Sequence, residues 1–360
     1  MNRFLDLNDL DDAALASVIA RATALHRQPL DTTLAGRVIG LVFMNPSLRT
    51  LASFQAGIAQ LGGSSFTITP GASSWALEWA DGTVMDGAAG EHIREAIPVL
   101  EEYADLLGVR CFAGGDDLAS TLADPILSLI GSLARKPLIN MESAVRHPCQ
   151  ALADWKTLDD LGVPANSSGR FVLSWTHHPK ALPLAVPASV LAMACRRGMD
   201  VTLACPADYV LPEPIMDAAT RDAAARGGSL TVTADRAAAM DGAHVLYAKS
   251  WAAPGAWGDA DAEAALRAQH ADWTVDESWF APAAPGARFM HCLPVRRNVV
   301  VADAVLDGPR SAVVAQAGNR MHAQKALLEH LLPASAGASV PTITTTPPAN
   351  APCTPQPALP

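Results

Sequence analysis

Short apolar runs alternate with segments of helical period along most of the chain. The run VIGLVF at 38–43 is continuously apolar, the pattern of a strand buried on both faces. The next segment, 47–61, carries apolar residues at 51, 54, 58 and 61, the spacing of one helix face. Further strands are predicted at 108–112, 137–140, 171–175, 200–205, 229–232 and 243–247. Helices are predicted near 89–106, 117–132, 147–161, 183–198, 213–226 and 317–332. Strands separated by helices imply βαβ units. The expected fold class is α/β, with two similar domains, each a mainly parallel sheet flanked by helices. Ligands of such sheets bind beyond the carboxyl ends of the strands, so the chemistry is sought in the loops that follow them.

The turn-rich stretch VPANSSGR at 163–170 breaks the pattern before a fresh strand, and a helix opening at His147 is placed to link two halves. The division expected is 1–146 and 147–332. The remaining segment, 333–360, holds eight prolines and no charged side chain, the composition of a disordered tail rich in Pro, Thr and Ala.

Composition narrows the class. Of 360 residues 50% are hydrophobic and 17% charged, enough for a globular core. The formal net charge of −10, with no long Lys/Arg run, argues against a nucleic-acid partner. No uncharged apolar stretch is long enough to predict a membrane span. The six cysteines, at 111, 149, 195, 205, 292 and 353, form no C-x-x-C pair, neither a disulfide framework nor a zinc pattern. A cytoplasmic enzyme with free thiols and no metal is expected. The glycine fingerprints of P-loop and dinucleotide-binding proteins are missing, which disfavours a nucleotide-dependent oxidoreductase on a similar scaffold. The G-x-S-x-G elbow is missing too.

Four short motifs carry candidate chemistry. Ser47-Leu48-Arg49-Thr50 follows the first long strand, where Ser47 suits a helix N-cap. Its hydroxyls, helix-start N–H groups and guanidinium make an anion site, although a plain capped helix with a solvated Arg would carry the same residues. His147-Pro148-Cys149-Gln150 opens another helix, where His and Gln can both donate to a carbonyl oxygen; a simple cap with Pro at N1 reads equally well. His291-Cys292-Leu293-Pro294 offers a thiol with no dedicated base, more in keeping with a buried, inert Cys. Gly318-Asn319-Arg320-Met321-His322 reads as a strand-to-helix junction with a solvated Arg.

Together, the order S-x-R-T, H-P-x-Q, H-C-L-P and N-R-x-H resembles that of the aspartate/ornithine carbamoyltransferases. The likeness spans about residues 1–332. It is supported by GTVMDG at 82–87, INMES at 139–143, WTHHPK at 175–180, GMDVTLACP at 198–206 and YAKSW at 247–251, and is greatest to the N-acetylornithine branch. The resemblance implies transfer of a carbamoyl group from carbamoyl phosphate to the amine of an amino acid, as in arginine biosynthesis, with no cofactor. It makes 1–146 the carbamoyl-phosphate-binding domain and 147–332 the acceptor-binding domain. By this likeness Ser47, Leu48 through its backbone, Arg49, Thr50 and Arg110 bind phosphate. His147, Gln150 and Arg320 polarise the carbamoyl oxygen. Carbonyls around Cys292 and Leu293 orient the amine. Glu142 and Lys249 contact the acceptor, and Trp75 matches a Trp that enters the phosphate site from a neighbouring subunit. A homotrimer with sites at subunit interfaces follows.

The acceptor half departs from the family pattern. Leu51 replaces an Arg, Gly90 a Glu or Pro, Pro183 and Ala188 two Asn, Gly318 a Glu and Val300 a Lys. The acceptor is therefore expected to be N-acetylornithine or a related diamino acid. The alternative is a catalytically silent paralogue with a binding or regulatory role, against which Arg49, His147, Gln150 and Arg320 are all retained.

Overall fold

The computed structural model describes residues 2–333 except Ala113 and Asp116. The expected tail therefore lies outside the described residues, apart from Pro333. Two five-stranded parallel sheets lie one after the other in the chain.

The first is built from β1 (Arg3–Phe4), β2 (Val38–Phe43), β3 (Ser64–Ile68), β6 (Leu106–Arg110) and β7 (Leu138–Glu142), in the order β1-β7-β6-β2-β3. β4 (Ala76–Glu78) and β5 (Ala89–His92) pair separately. Around them run α1 (Asp12–Arg27), α2 (Leu48–Gln60), α3 (Ile93–Tyr103), α4 (Leu118–Leu122) and α5 (Pro125–Leu133). In the middle of β2 a Cβ on Gly40 would stand 2.6 Å from Leu107 and 2.8 Å from Phe66, so glycine lets both side chains close over the sheet.

After α6 (Pro148–Asp160) the second sheet takes β8 (Arg170–Trp175), β9 (Asp200–Ala204), β10 (Ser229–Thr233), β11 (Val245–Lys249) and β12 (Arg288–Met290), in the order β10-β9-β8-β11-β12. Its helices are α7 (Ala185–Arg196), α8 (Glu213–Ala225), α9 (Arg236–Met240), α10 (Ala260–Ala268) and α11 (Asp303–Leu306). The last helix among the described residues, α12 (Val313–Leu331), returns to pack on α6, α1 and α2, which ties it to the first part of the chain.

Three predicted boundaries change. The helix expected over 117–132 is two helices, because Asp124 takes a left-handed turn (φ 50°) before Pro125, a residue that disfavours helix just ahead of it. The helix expected from 89 begins at Ile93, after strand β5. The Gly318 motif is no helix start: α12 begins at Val313, and Gly318 sits on its open side, where nothing would crowd a Cβ. An interior Gly costs a helix only about 1 kcal/mol, which the buried face of α12 easily offsets.

Candidate active site

The two sheets aim their carboxyl ends at one spot. β2 leads into the 47–50 turn, β6 ends on Arg110, and β7 ends on Glu142 just before His147. From the second sheet, β11 ends on Lys249 and β12 leads to Cys292 and Leu293. Arg320 enters from the side of α12. A cavity of about 180 Å³ is lined by Ser47, Arg49, Arg110, Glu142, His147, Gln150, Lys249, Cys292, Leu293 and Arg320. All four motifs meet there, as do the two acceptor candidates Glu142 and Lys249. A wider cleft of about 440 Å³ shares Phe112, Leu182 and Pro183 with it.

Local chemistry explains the shape of the phosphate side. Ser47 caps α2, its Oγ accepting the Thr50 N–H at 3.3 Å. The first helical bond is from Leu51 to the Ser47 carbonyl, so the Leu48 and Arg49 N–H groups have no partner inside the helix. Arg110 donates through Nε to the Asn45 carbonyl at 3.1 Å and forms an ion pair with Glu142. The Nε atoms of Arg49 and Arg320 are buried without a hydrogen-bond partner. Burial, and then mutual repulsion with the other arginines, disfavours the charge on both. Four cationic side chains face a single carboxylate here, in a chain whose net charge is −10. Unpaired buried donors of this kind fit an anionic ligand.

On the opposite side, Pro148 stands at N1 of α6, and His147 precedes it without using its side chain as a cap. The imidazole is thereby free to face the cavity. Burial, reinforced by Arg320, Arg110 and Arg49, holds its pKa well below the usual range, so the ring is neutral near pH 7. Its Nε2 lies 3.3 Å from the Glu142 carboxylate. Gln150 differs from the expectation of a donor to a carbonyl oxygen. Its amide nitrogen donates to Asp154 at 2.8 Å, and its Oε1 is buried with no partner, so the atom it has to offer is an acceptor. Burial raises the Cys292 thiol pKa and lowers that of the Lys249 ammonium, which donates to the Ser250 carbonyl at 3.0 Å. Leu293 adopts φ 55°, and its N–H donates to His291 Nδ1 at 2.9 Å.

Three predicted residues are not on the cavity wall. Thr50 lies just behind it, fully buried and bonded to Arg320. The Leu48 side chain is 78% exposed. Trp75 is 60% exposed, donating from its indole to Glu91 at 2.8 Å and resting against Gly90, where a Cβ would stand 3.0 Å from the ring. Of the departures, Pro183 lines the cavity, whereas Ala188 faces a separate groove, Val300 is buried in a loop and Gly318 is exposed. Sequence reasoning missed His178, which lines the cavity and accepts from Arg296 at 3.1 Å, although the WTHHPK stretch contained it. It also missed the partners of Gln150, for which helical spacing from 150 to 154 was the available signal.

Comparison with known proteins gives the family. The carbamoyl-P binding domain of aspartate/ornithine carbamoyltransferases matches residues 2–160, and their Asp/Orn binding domain matches 185–331. N-acetylornithine carbamoyltransferase of Xanthomonas campestris pv. campestris is 43% identical over 92% of this chain and 98% of its own. N-succinylornithine carbamoyltransferase of Bacteroides thetaiotaomicron is 33% identical over 92% of this chain and 99% of its own. The crystal structure of acetylornithine transcarbamylase complexed with acetylcitrulline superposes with a TM-score of 0.88 at 42% identity, covering 92% of this chain and 99% of that one. The chain belongs to the aspartate/ornithine carbamoyltransferase family.

Proposed function

We propose that this protein transfers the carbamoyl group of carbamoyl phosphate to the side-chain amine of an N-acetylornithine-type acceptor and releases phosphate. The observation that carries the reading is the single cavity in which Arg49, Arg110 and Arg320 face His147, Gln150 and the Cys292–Leu293 segment.

In this scheme the phosphate dianion takes Arg49, Arg110 and the free N–H groups of α2, displacing Glu142 from Arg110, while buried Thr50 anchors Arg320 behind them. Neutral His147 donates from Nε2 to the carbamoyl oxygen, and Arg320 adds its charge as that oxygen becomes negative. Gln150 accepts from the carbamoyl NH2 group through Oε1. The neutral amine, steered by Glu142, Lys249 and the carbonyls near Leu293, attacks the carbonyl carbon. The tetrahedral intermediate collapses, the C–O bond to phosphate breaks, and phosphate takes up the amine proton. Positioning and charge stabilisation supply the acceleration. Arg296, held by the neutral His178 ring on the cavity wall, puts positive charge near the mouth, suited to the acceptor's carboxylate.

The reading extends to a cytoplasmic homotrimer with Trp75 acting in the neighbouring subunit's site. Its support is the exposure of large apolar side chains at Leu48, Trp75, Val84 and Met85. It assigns carbamoyl-phosphate binding to residues 1–146 and acceptor binding to 147–332.

The test is phosphate release by purified enzyme with carbamoyl phosphate and a panel of N-acetylornithine, N-succinylornithine, ornithine and aspartate. Turnover is expected with Nα-acylated ornithines. Preference for ornithine or aspartate would overturn the acceptor assignment, and no release with any amine would overturn the transfer scheme built on this cavity.

A further inference from the structure

Two glutamines from distant helices turn their amide nitrogens to one oxygen. Gln150 on α6 and Gln316 on α12 both donate to Oδ1 of Asp154, at 2.8 and 2.7 Å. Gln316 cannot be reversed, because its Oε1 accepts the backbone N–H of His291 at 3.0 Å, and a backbone N–H only donates. Gln316 therefore presents a donor, Asp154 answers as acceptor, and Gln150 must approach nitrogen first. Its Oε1 is left over, buried and without a partner, in a residue that lines the cavity. Asp154 itself is fully buried and is not on the cavity wall.

We propose that Asp154 is a positioning residue for carbamoyl transfer: it locks the Gln150 amide with its oxygen toward the carbamoyl NH2 group, so that the enzyme distinguishes an amide from a methyl group of the same shape. The proposal rests on the carbamoyl-transfer reading above. Carbamoyl phosphate and acetyl phosphate differ by NH2 against CH3. A buried, fixed acceptor rejects the methyl compound because that compound leaves it unpaired. A free glutamine amide would rotate and offer its own NH2 group, and the discrimination would vanish. The lock also survives protonation. Burial pushes the Asp154 carboxyl up to about 7, and the oxygen available for the proton is Oδ2, which has no partner, so Oδ1 accepts in either state.

The experiment compares wild type, Asp154→Asn and Asp154→Leu. Because Gln316 holds its donor toward position 154, an amide there must turn its oxygen to Gln316 and still accepts from Gln150, so Asp154→Asn keeps the lock. A leucine accepts from neither, which removes it. Asp154→Leu is expected to lower kcat/KM for carbamoyl phosphate by about 10- to 100-fold. The preference for carbamoyl over acetyl phosphate, read by competitive inhibition, should collapse by a similar factor. Inorganic phosphate, which has no NH2 group to read, should bind within about twofold of wild type by calorimetry. Asp154→Asn should keep the preference. Retained preference in Asp154→Leu, a parallel loss of phosphate binding, or a lost preference in Asp154→Asn would overturn the proposal. Should Asp154→Leu fail to fold, the double variant Asp154→Asn with Gln316→Met takes its place, since nothing then fixes the amide at 154. A wild-type enzyme indifferent to the two acyl phosphates would instead overturn the carbamoyl-transfer reading, and the lock with it.

Discussion

Arg320 donates from Nη2 to the Thr50 hydroxyl at 2.7 Å, joining residues 270 positions apart. Thr50 Oγ1 also accepts from Ser47 Oγ at 3.0 Å, so one buried hydroxyl ties the start of α2 to α12. The last helix thus completes the phosphate side of a cavity that the first sheet begins. Because Arg320 Nε is still unpartnered, the guanidinium has capacity for charge that develops during the reaction. Arg320→Ala is expected to lower kcat on the order of 100-fold. Arg320→Lys should recover little, since an ammonium lacks the planar fork. Steady-state phosphate release reads both, and a near-normal kcat would remove Arg320 from the chemistry.

Glu142 occupies the groups that the phosphate and carbonyl oxygen need. It is ion-paired with Arg110, and it lies 3.3 Å from His147 Nε2. Its carboxylate therefore competes with an incoming anion. Glu142→Gln should tighten inorganic phosphate binding by about tenfold, because the anion no longer has to break a buried ion pair. The same variant should raise KM for the acceptor amine. Calorimetry with phosphate and acceptor kinetics separate the two effects; unchanged phosphate affinity would show that the carboxylate does not guard Arg110.

Away from the cavity, His322 stacks on His26 with ring centroids 4.3 Å apart. Burial first, then His26, Lys325 and Lys156, pushes its pKa down to about 4. An unfolded histidine titrates near 6.5. Between these values the unfolded chain binds a proton that the folded chain refuses, so stability is lost as pH falls from about 6.5 toward 4. Relative to His322→Gln, which has nothing to titrate, wild type should lose up to about 2 kcal/mol between pH 7 and pH 5. Urea unfolding at the two pH values measures it, and a constant difference would mean that the imidazole charges freely in the fold.

The long buried strands were readable because apolar runs such as VIGLVF have no other stable setting in a domain of this size. The edge strand β10 was readable too, but two others were not: β3 alternates poorly and stays half-exposed, and β12 is three residues long. The helix break at Asp124 was announced by Pro125 and overlooked in favour of the apolar period on either side. Within the cavity, the motifs located Arg49 and His147, since each follows a predicted strand and its loop, whereas Cys292 was marked by its motif alone, because β12 before it is too short to predict. The orientation of Gln150 was out of reach, because it depends on Gln316, 166 positions away by their numbering, and on a backbone N–H at His291. Arg320 was placed at a strand-to-helix junction, in the first turn of a helix expected from 317; its true setting is inside a helix that starts at Val313 and whose buried face holds it.

The exposed Trp75 gives the assembly its sharpest test. The side chain does not line the cavity of its own chain, and its contacts are with Gly90 and Glu91 beside it. If it serves the neighbouring site, Trp75→Ala and Arg49→Ala damage different subunits of the same site. Each variant alone should be nearly inactive, because every site in it lacks one of the two groups. When the two are mixed in equal amounts, dissociated and reassembled, a site is intact only where an unaltered Arg49 meets an unaltered Trp75 from its neighbour. Random assembly makes that about one site in four, so roughly a quarter of wild-type activity should return. The mixture should elute as a trimer on calibrated gel filtration. No recovery from a mixture shown by mass spectrometry to contain hybrid oligomers would place Trp75 in the same chain's site, or outside it altogether, and would remove the reason for a shared interface.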